Sequence, residues 1–143
     1  MSTREHNESE EDLANEEAAR LVLESKWPVH ILKLRPQVYG VDWAFIRKER
    51  LHSWGEYKCR TKPSTEYATW KVSLGKWMRL RWLAQQSGVP FAFYLEWSDG
   101  LYYRSWPHTT GLLYIQTTMV NSRGQEGDLE PSMAIPRTEF KKL

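Results

Sequence analysis

Residues 38–59 read VYGVDWAFIRKERLHSWGEYKC, and this stretch decides the fold. Residues 38–46 are rich in β-branched and aromatic side chains, which favour a β-strand. Residues 47–50 are charged and predict a turn, and residues 51–59 predict the next strand. The pattern therefore predicts a β-hairpin whose strands carry charged residues among apolar neighbours.

Helices and strands are expected on both sides of this hairpin. Residues 1–12 have almost no apolar side chains, which predicts a disordered acidic tail. One helix is expected from Leu13 to about Ser25, and a second runs from Ser73 to about Ser87, where Gly88 ends it. Further strands are predicted at residues 67–72, 91–97, 101–106, 112–120 and, as a short edge strand, 133–135.

This order of elements predicts one α/β (α+β) domain over residues 13–143, with a mixed central β-sheet flanked by helices. The length of 143 residues is sufficient for one sizeable core but not for two. The single cysteine, Cys59, excludes an internal disulfide framework and a zinc site built on several thiolates. No apolar stretch predicts a membrane span or a signal peptide, so we expect a cytoplasmic protein.

The formal net charge of +2 hides a strong segregation of charge. Residues 1–25 carry a net charge of −6, residues 26–82 carry +9, and residues 83–143 carry −1. A basic section of this size can attract a polyanion, and nucleic acid is the commonest one. A solvated basic face without a partner is the alternative that charge alone leaves open.

Strand alternation places Glu56 and Lys58 on the same face of one hairpin strand, with Asp42 on the adjacent strand. Charged residues in apolar strands are unfavourable unless they are paired or bound to a metal ion. Two carboxylates suit a hard cation such as Mg²⁺, and a nearby lysine suits phosphodiester hydrolysis because it can orient the attacking water. A buried ion pair of Asp42 and Lys58 without metal is the alternative.

The opening helix carries a glutamate on its predicted apolar face. Leu13, Ala18 and Leu21 share one face at helical spacing, and Glu17 falls among them. We therefore expect the Glu17 carboxylate to face the core, although it could instead lie at the edge of this face.

The hairpin resembles that of the PD-(D/E)XK nuclease superfamily. Asp42 in VYGVDWAFI and the triplet Glu56-Tyr57-Lys58 in WGEYKCR match its motif, although Gly40-Val41 replaces the proline often found before the aspartate. The order of elements is also similar, so the resemblance covers most of residues 13–140 and extends to small nuclease-like proteins of phages and mobile elements. It implies a restriction-endonuclease-like core.

The resemblance implies a role for each matching residue. Asp42 and Glu56 would be metal ligands together with the carbonyl of Tyr57, and the metal would be Mg²⁺, with Mn²⁺ as a substitute. Lys58 would position or activate the attacking water. Glu17 would complete the acidic cluster, and Lys76 would be a further basic residue near the scissile phosphate, although a solvated helix lysine is its alternative reading.

Basic and aromatic residues after the hairpin are candidates for DNA binding. Trp70 and Trp82 are the tryptophans that best suit an exposed role, whereas Trp77 fits a buried helix stripe. No feature encodes base readout, which favours recognition of DNA structure. Phosphate contacts are expected from Arg60, Lys62, Lys71, Arg79 and Arg81.

The sequence thus predicts a divalent-metal-dependent DNA nuclease, an endonuclease of DNA recombination, repair or processing. A homodimer would suit a reaction that cuts two strands. One alternative is a catalytically silent nucleic-acid-binding module with the same fold. Another is an interaction protein whose acidic tail covers its own basic face.

Overall fold

This computed structural model describes residues 10–34, 41–111, 115–121 and 129–143. These ranges contain two α-helices and nine β-strands. The helices are α1 (Glu10–Lys26) and α2 (Leu74–Ser87). No helix in these ranges is long and apolar enough to cross a membrane. The strands are β1 (His30–Lys33), β2 (Trp43–Arg47), β3 (Arg50–Cys59), β4 (Thr69–Ser73), β5 (Phe91–Trp97), β6 (Gly100–Trp106), β7 (Ile115–Asn121), β8 (Leu129–Pro136) and β9 (Lys141–Lys142).

The predicted hairpin is formed by β2 and β3, which pair from Arg47 opposite Arg50. Lys48 and Glu49 take positive φ angles of 52° and 63° in the turn between them. Positive φ at both central residues is the geometry that matches the right-handed twist of paired strands. Asp42 lies one residue before β2. Residues 35–40, which include residues 38–40 of the predicted strand, lie outside the described residues.

A six-stranded sheet has the order β1-β2-β3-β5-β6-β9. Strand β3 pairs with β5 in parallel and the other pairs are antiparallel, so the predicted mixed central sheet is confirmed. Strand β5 lies inside this sheet and is buried on both faces, as its continuous apolar sequence predicted. Phe91 and Phe93 pack on the side of α2, whereas Ala92 and Tyr94 pack on the side of α1.

A second sheet, absent from the prediction, has the antiparallel order β4-β8-β7. The prediction of a short edge strand at residues 133–135 is wrong, because β8 spans eight residues and lies between its two neighbours. Met133 and Ile135 are fully buried in the core beside α2. Pro131 and Pro136 obscured this strand, since proline is rare inside a sheet.

Helix α2 matches its prediction at both ends. The Ser73 hydroxyl accepts a hydrogen bond from the backbone N–H of Lys76, and Gly88 ends the helix in the left-handed conformation. Trp77, Leu80 and Ala84 are buried against the six-stranded sheet and β8. This confirms the predicted core position of Trp77.

Helix α1 differs from its prediction. It begins at Glu10, so residues 10–12 are helical, and residues 1–9 of the predicted tail lie outside the described part of the chain. Its buried face holds Glu16, Ala19 and Leu23, whereas Leu21 is 61% exposed. The predicted face was wrong because α1 has few large apolar residues to fix its orientation. Glu16 is instead held towards the core by hydrogen bonds from Lys33 and Trp43, which are distant in sequence.

Candidate active site

Strand β3 and helix α2 meet at the buried carboxylate of Glu56, whose residue is only 2% exposed. The Nζ of Lys76 lies 2.7 Å from Glu56 Oε1, and the Nζ of Lys58 lies 3.8 Å from the same oxygen. Glu56 and Lys58 share a face of β3, and Lys76 reaches them from the first turn of α2. The structure therefore brings together three of the predicted site residues.

Asp42 joins this group from the segment before β2. Its Oδ2 accepts a hydrogen bond of 2.9 Å from the backbone N–H of Tyr57, the residue between Glu56 and Lys58. This bond holds the Asp42 carboxylate against β3. The Asp42 side chain is 21% exposed, and its negative charge acts on Glu56, Lys58 and Lys76. The candidate site thus has one buried and one accessible carboxylate.

Burial governs the protonation of Glu56. Desolvation raises the pKa of Glu56 to about 7, and the nearby charge of Asp42 adds to the increase, although the two lysines oppose it. Oε1 is paired with Lys76, while Oε2 is buried and accepts no hydrogen bond from the described residues. An unsatisfied buried carboxylate oxygen is unfavourable, so this atom is a candidate for contact with a ligand.

The two lysines are perturbed in opposite directions. Burial and the positive charge of Lys76 lower the pKa of Lys58. Burial also acts to lower the pKa of Lys76, but the attraction of Glu56 outweighs it, so the pKa of Lys76 is raised. The contact with Glu56 thus favours the charged form of Lys76, whereas burial and the charge of Lys76 favour the neutral form of Lys58.

A second buried glutamate lies on the other side of the sheet. The Nζ of Lys33 lies 2.8 Å from both carboxylate oxygens of Glu16, and the indole Nε1 of Trp43 donates to Oε1 at 2.7 Å. Burial raises the pKa of Glu16, although Lys33 opposes the shift. Lys33 Nζ also lies 4.0 Å from Asp42 Oδ1, so this cluster connects α1 to the candidate site.

The prediction that Glu17 faces the core is wrong. Glu17 is exposed, and Glu16 takes the buried position because it shares a face with Ala19 and Leu23 at spacings of three and seven residues. That spacing was present in the sequence, but the leucines and alanines of the opposite face concealed it. Sequence reasoning also missed Lys33. Its contacts with Glu16 and Asp42 join segments that are distant in sequence.

A cleft of about 270 Å³ opens beside these residues. Asp42 and Lys58 lie in its wall, so a phosphate group and water can approach the Asp42 carboxylate and the Lys58 amine. Within the described ranges, no group of three or more His, Cys, Asp or Glu residues is arranged to hold a metal ion. The carboxylates of Asp42 and Glu56 with the Tyr57 carbonyl nevertheless form an oxygen donor set that suits a hard cation. The complete lining consists of Asp12, Glu16, Asp42, Tyr57, Lys58, Cys59 and Arg60.

The five predicted phosphate contacts lie in different environments. Arg60 is at the cleft, with its guanidinium 5.0 Å from the centre of the Trp70 ring. Lys62 is exposed and lies 3.7 Å from Glu66, whereas Arg81 is half-buried and donates to the carbonyl of Thr110. The two remaining residues are exposed side chains on β4 and α2, namely Lys71 and Arg79.

The two tryptophans that were expected to be exposed differ. Trp70 is 5% exposed, because it faces the core and contacts Trp97 edge to face, so its predicted exposure is wrong. Trp82 is 54% exposed, as predicted. Only Trp82 of this pair is therefore available for a ligand.

Comparisons with known proteins agree with the resemblance found in the hairpin. A family model described as "Phage putative PDDEXK endonuclease" matches residues 2–143. No curated protein matches the chain. The fold is similar to that of Hjc, a Holliday junction resolvase from the archaeal hyperthermophile Archaeoglobus fulgidus, with a TM-score of 0.58 and 13% sequence identity over 91% of this chain and 90% of that chain. The predicted superfamily and restriction-endonuclease-like fold are confirmed.

Proposed function

Because the chain belongs to the phage PDDEXK endonuclease family, we propose that it is a divalent-metal-dependent DNA endonuclease that hydrolyses phosphodiester bonds. The observation that carries this proposal is the state of Glu56. Its carboxylate is buried beside Asp42 and two lysines, and one of its oxygens accepts no hydrogen bond from the described residues. A purely structural carboxylate in such a place would be expected to have both oxygens satisfied.

The carboxylates of Asp42 and Glu56 and the carbonyl of Tyr57 are the groups that would hold Mg²⁺ or Mn²⁺. When bound, such a cation polarises the scissile phosphate and lowers the pKa of a coordinated water molecule. The hydrogen bond from the Tyr57 N–H to Asp42 fixes the accessible carboxylate before the substrate arrives. This preorganisation limits the rearrangement that binding requires.

The two lysines have separate tasks in this proposal. Lys58 orients the attacking water through its amine, and its lowered pKa favours acceptance of the proton that the water loses. Lys76 remains charged because of its contact with Glu56 and stabilises the negative charge that develops on the phosphate. These two roles are assigned from the opposite pKa shifts of the neighbouring Lys58 and Lys76 amines and from the contact of Lys76 with Glu56.

The DNA would follow the basic residues around the cleft. Arg60 lies in the cleft wall, and Lys71 and Arg79 are exposed on neighbouring elements. Contacts of this kind go to phosphates and carry no sequence information. The proposed enzyme therefore selects DNA by structure and acts in recombination, repair or DNA processing in the host cytoplasm, with a homodimer as the form suited to cutting two strands.

A cleavage panel tests the proposal. Linear, nicked, flap and four-way-junction DNAs are incubated with Mg²⁺, Mn²⁺ or Ca²⁺ and the wild type, Asp42→Asn or the control Glu66→Gln, whose side chain is 53% exposed. We expect cleavage by the wild type and by Glu66→Gln with Mg²⁺ or Mn²⁺, and DNA binding without cleavage by Asp42→Asn. Equal cleavage by Asp42→Asn contradicts the site, and binding without turnover by the wild type supports the silent module.

A further inference from the structure

Helix α2 presents an exposed apolar surface on the side opposite its core face. Met78 is 46% exposed and Trp82 is 54% exposed, and with Gly75 and Arg79 they line an open groove of about 410 Å³. Trp77, Leu80 and Ala84 already bury the other side of the helix. Packing within the described chain therefore gives no reason for a large aromatic residue at position 82.

We propose that this groove, the Trp82 platform, binds an unpaired base of the DNA substrate, with the base stacked on the indole of Trp82 and its phosphate contacted by Arg79. The inference rests on the proposed nuclease function and specifies its substrate class as DNA with unpaired bases near the cut. Aromatic side chains beside cations are the elements with which proteins hold single-stranded nucleic acid.

The charge of α2 favours DNA over a second copy of this chain. The helix contains Lys76, Arg79 and Arg81 and no acidic residue. A two-fold interface through this groove would bring each Arg79 towards its counterpart, because a two-fold contact uses the same surface twice. A stable dimer also buries about 800 Å² per partner, which is more than a groove with four lining residues on one helix offers.

Helix α2 is fixed relative to the active site at both ends. Near its start, Lys76 contacts Glu56, and at its end the Ser87 hydroxyl accepts a hydrogen bond of 2.8 Å from the Trp54 indole of β3. Trp82 follows Lys76 by six residues, which is roughly 9 Å along a helix axis. Because Trp82 and Lys76 also point in different directions from the helix, a base on the platform would lie several nucleotides from the scissile phosphate, at about 3.4 Å per nucleotide of a strand.

The absence of a side chain at position 75 contributes to the groove. A Cβ added to Gly75 would meet no atom within 4 Å, so close packing does not require glycine there. A glycine inside a helix lowers stability relative to alanine. The glycine keeps one wall of the groove low, as a planar base requires.

Two matched DNAs test the proposal, a duplex and the same duplex with a three-nucleotide bulge that contains 2-aminopurine. Dissociation constants are measured by anisotropy in Ca²⁺ buffer for the wild type, Trp82→Ala, Trp82→Phe and the control Leu21→Ala, which removes a side chain 61% exposed on α1. We expect Trp82→Ala to weaken binding of the bulged DNA about 5- to 150-fold and to abolish the quenching of 2-aminopurine. Trp82→Phe should retain most of both signals, and Leu21→Ala should match the wild type.

Three results overturn the inference. They are equal affinity of Trp82→Ala and wild type for the bulged DNA, unchanged 2-aminopurine fluorescence on wild-type binding, and conversion of a dimer to a monomer by Trp82→Ala in sedimentation. Mg²⁺-dependent cleavage of both DNAs is measured in the same series. Absence of all wild-type cleavage contradicts the proposed function, whereas intact cleavage with any of the three results contradicts the platform alone.

Discussion

The two buried glutamates, Glu16 and Glu56, have different hydrogen-bonding partners on opposite sides of one sheet. Both oxygens of Glu16 lie 2.8 Å from the Lys33 amine, and the Trp43 indole donates to one of them. Glu56 is more deeply buried in the same chain, yet one of its oxygens accepts no hydrogen bond from the described residues. The satisfied oxygens of Glu16 agree with a structural role, and the unsatisfied oxygen of Glu56 supports the proposal that Glu56 holds a ligand.

The largest expected effect follows from Glu56→Gln. The substitution removes the charge that would attract a divalent cation while it keeps the shape of the side chain. We expect cleavage in Mg²⁺ to fall by at least about 10⁴-fold, as for the removal of an essential catalytic group. Single-turnover cleavage assays measure the effect, with Glu17→Gln as the exposed control, and a loss of less than tenfold contradicts the assignment.

Lys58→Met should have the next largest effect. It removes the amine that orients the attacking water, and we expect a decrease in cleavage of about 10²–10⁴-fold with DNA affinity nearly unchanged. Lys26→Met is the matched control, since Lys26 is an exposed lysine in the last turn of α1. Cleavage rates and dissociation constants are measured for both variants. An equal decrease in cleavage rate for the two would contradict a specific role of Lys58 and indicate a general effect of positive charge.

Glu16→Gln should lower stability more than activity. The change replaces a charged partner of the Lys33 amine by an uncharged amide while Asp42 remains 4.0 Å away, so we expect the free energy of unfolding to fall by about 1.5–3 kcal/mol. The neighbouring Glu17→Gln should change it by less than about 0.5 kcal/mol because Glu17 is exposed. Urea denaturation measures both, and equal stabilities would contradict the observed face of α1.

The smallest expected effect is a pH dependence of the metal-free protein. The pKa of Glu56 is about 7 in the folded state and 4.5 in the unfolded reference, so the folded state binds more protons between these values. The free energy of unfolding contributed by Glu56 therefore falls as pH rises from about 4.5 to about 7. Denaturation in EDTA should show this decrease in the wild type and not in Glu56→Gln. An identical pH profile for both proteins would contradict it.

Local sequence was sufficient for the elements that define the site. The charged turn at Lys48 and Glu49, the alternation of Glu56 and Lys58, and the cap at Ser73 all depend on neighbouring residues. These features are sufficient to predict the bounds of β3 and α2 without contacts between distant residues. The contact of Lys76 with Glu56 then follows from the packing of α2 on the sheet.

The errors arose where distant residues decide the structure. The second sheet depends on pairing of β4 with β8, which joins Thr69 to Pro136 across most of the domain. The buried face of α1 depends on Lys33 and Trp43, which supply the hydrogen bonds that make a buried glutamate tolerable. Trp70 is buried because it lies on β4 of this second sheet and faces the core, where it contacts Trp97. The local pattern is insufficient to predict these pairings, and on α1 it offers more than one face.

Calorimetric titration with Mn²⁺ tests the central claim most directly, because it measures cation binding without DNA. We predict that the wild type and Glu17→Gln bind Mn²⁺ with the same affinity, and that Glu56→Gln binds at least about tenfold more weakly, as expected when a group that supports a metal site is removed. Equal Mn²⁺ affinity of Glu56→Gln and the wild type would contradict the claim that Glu56 holds the metal.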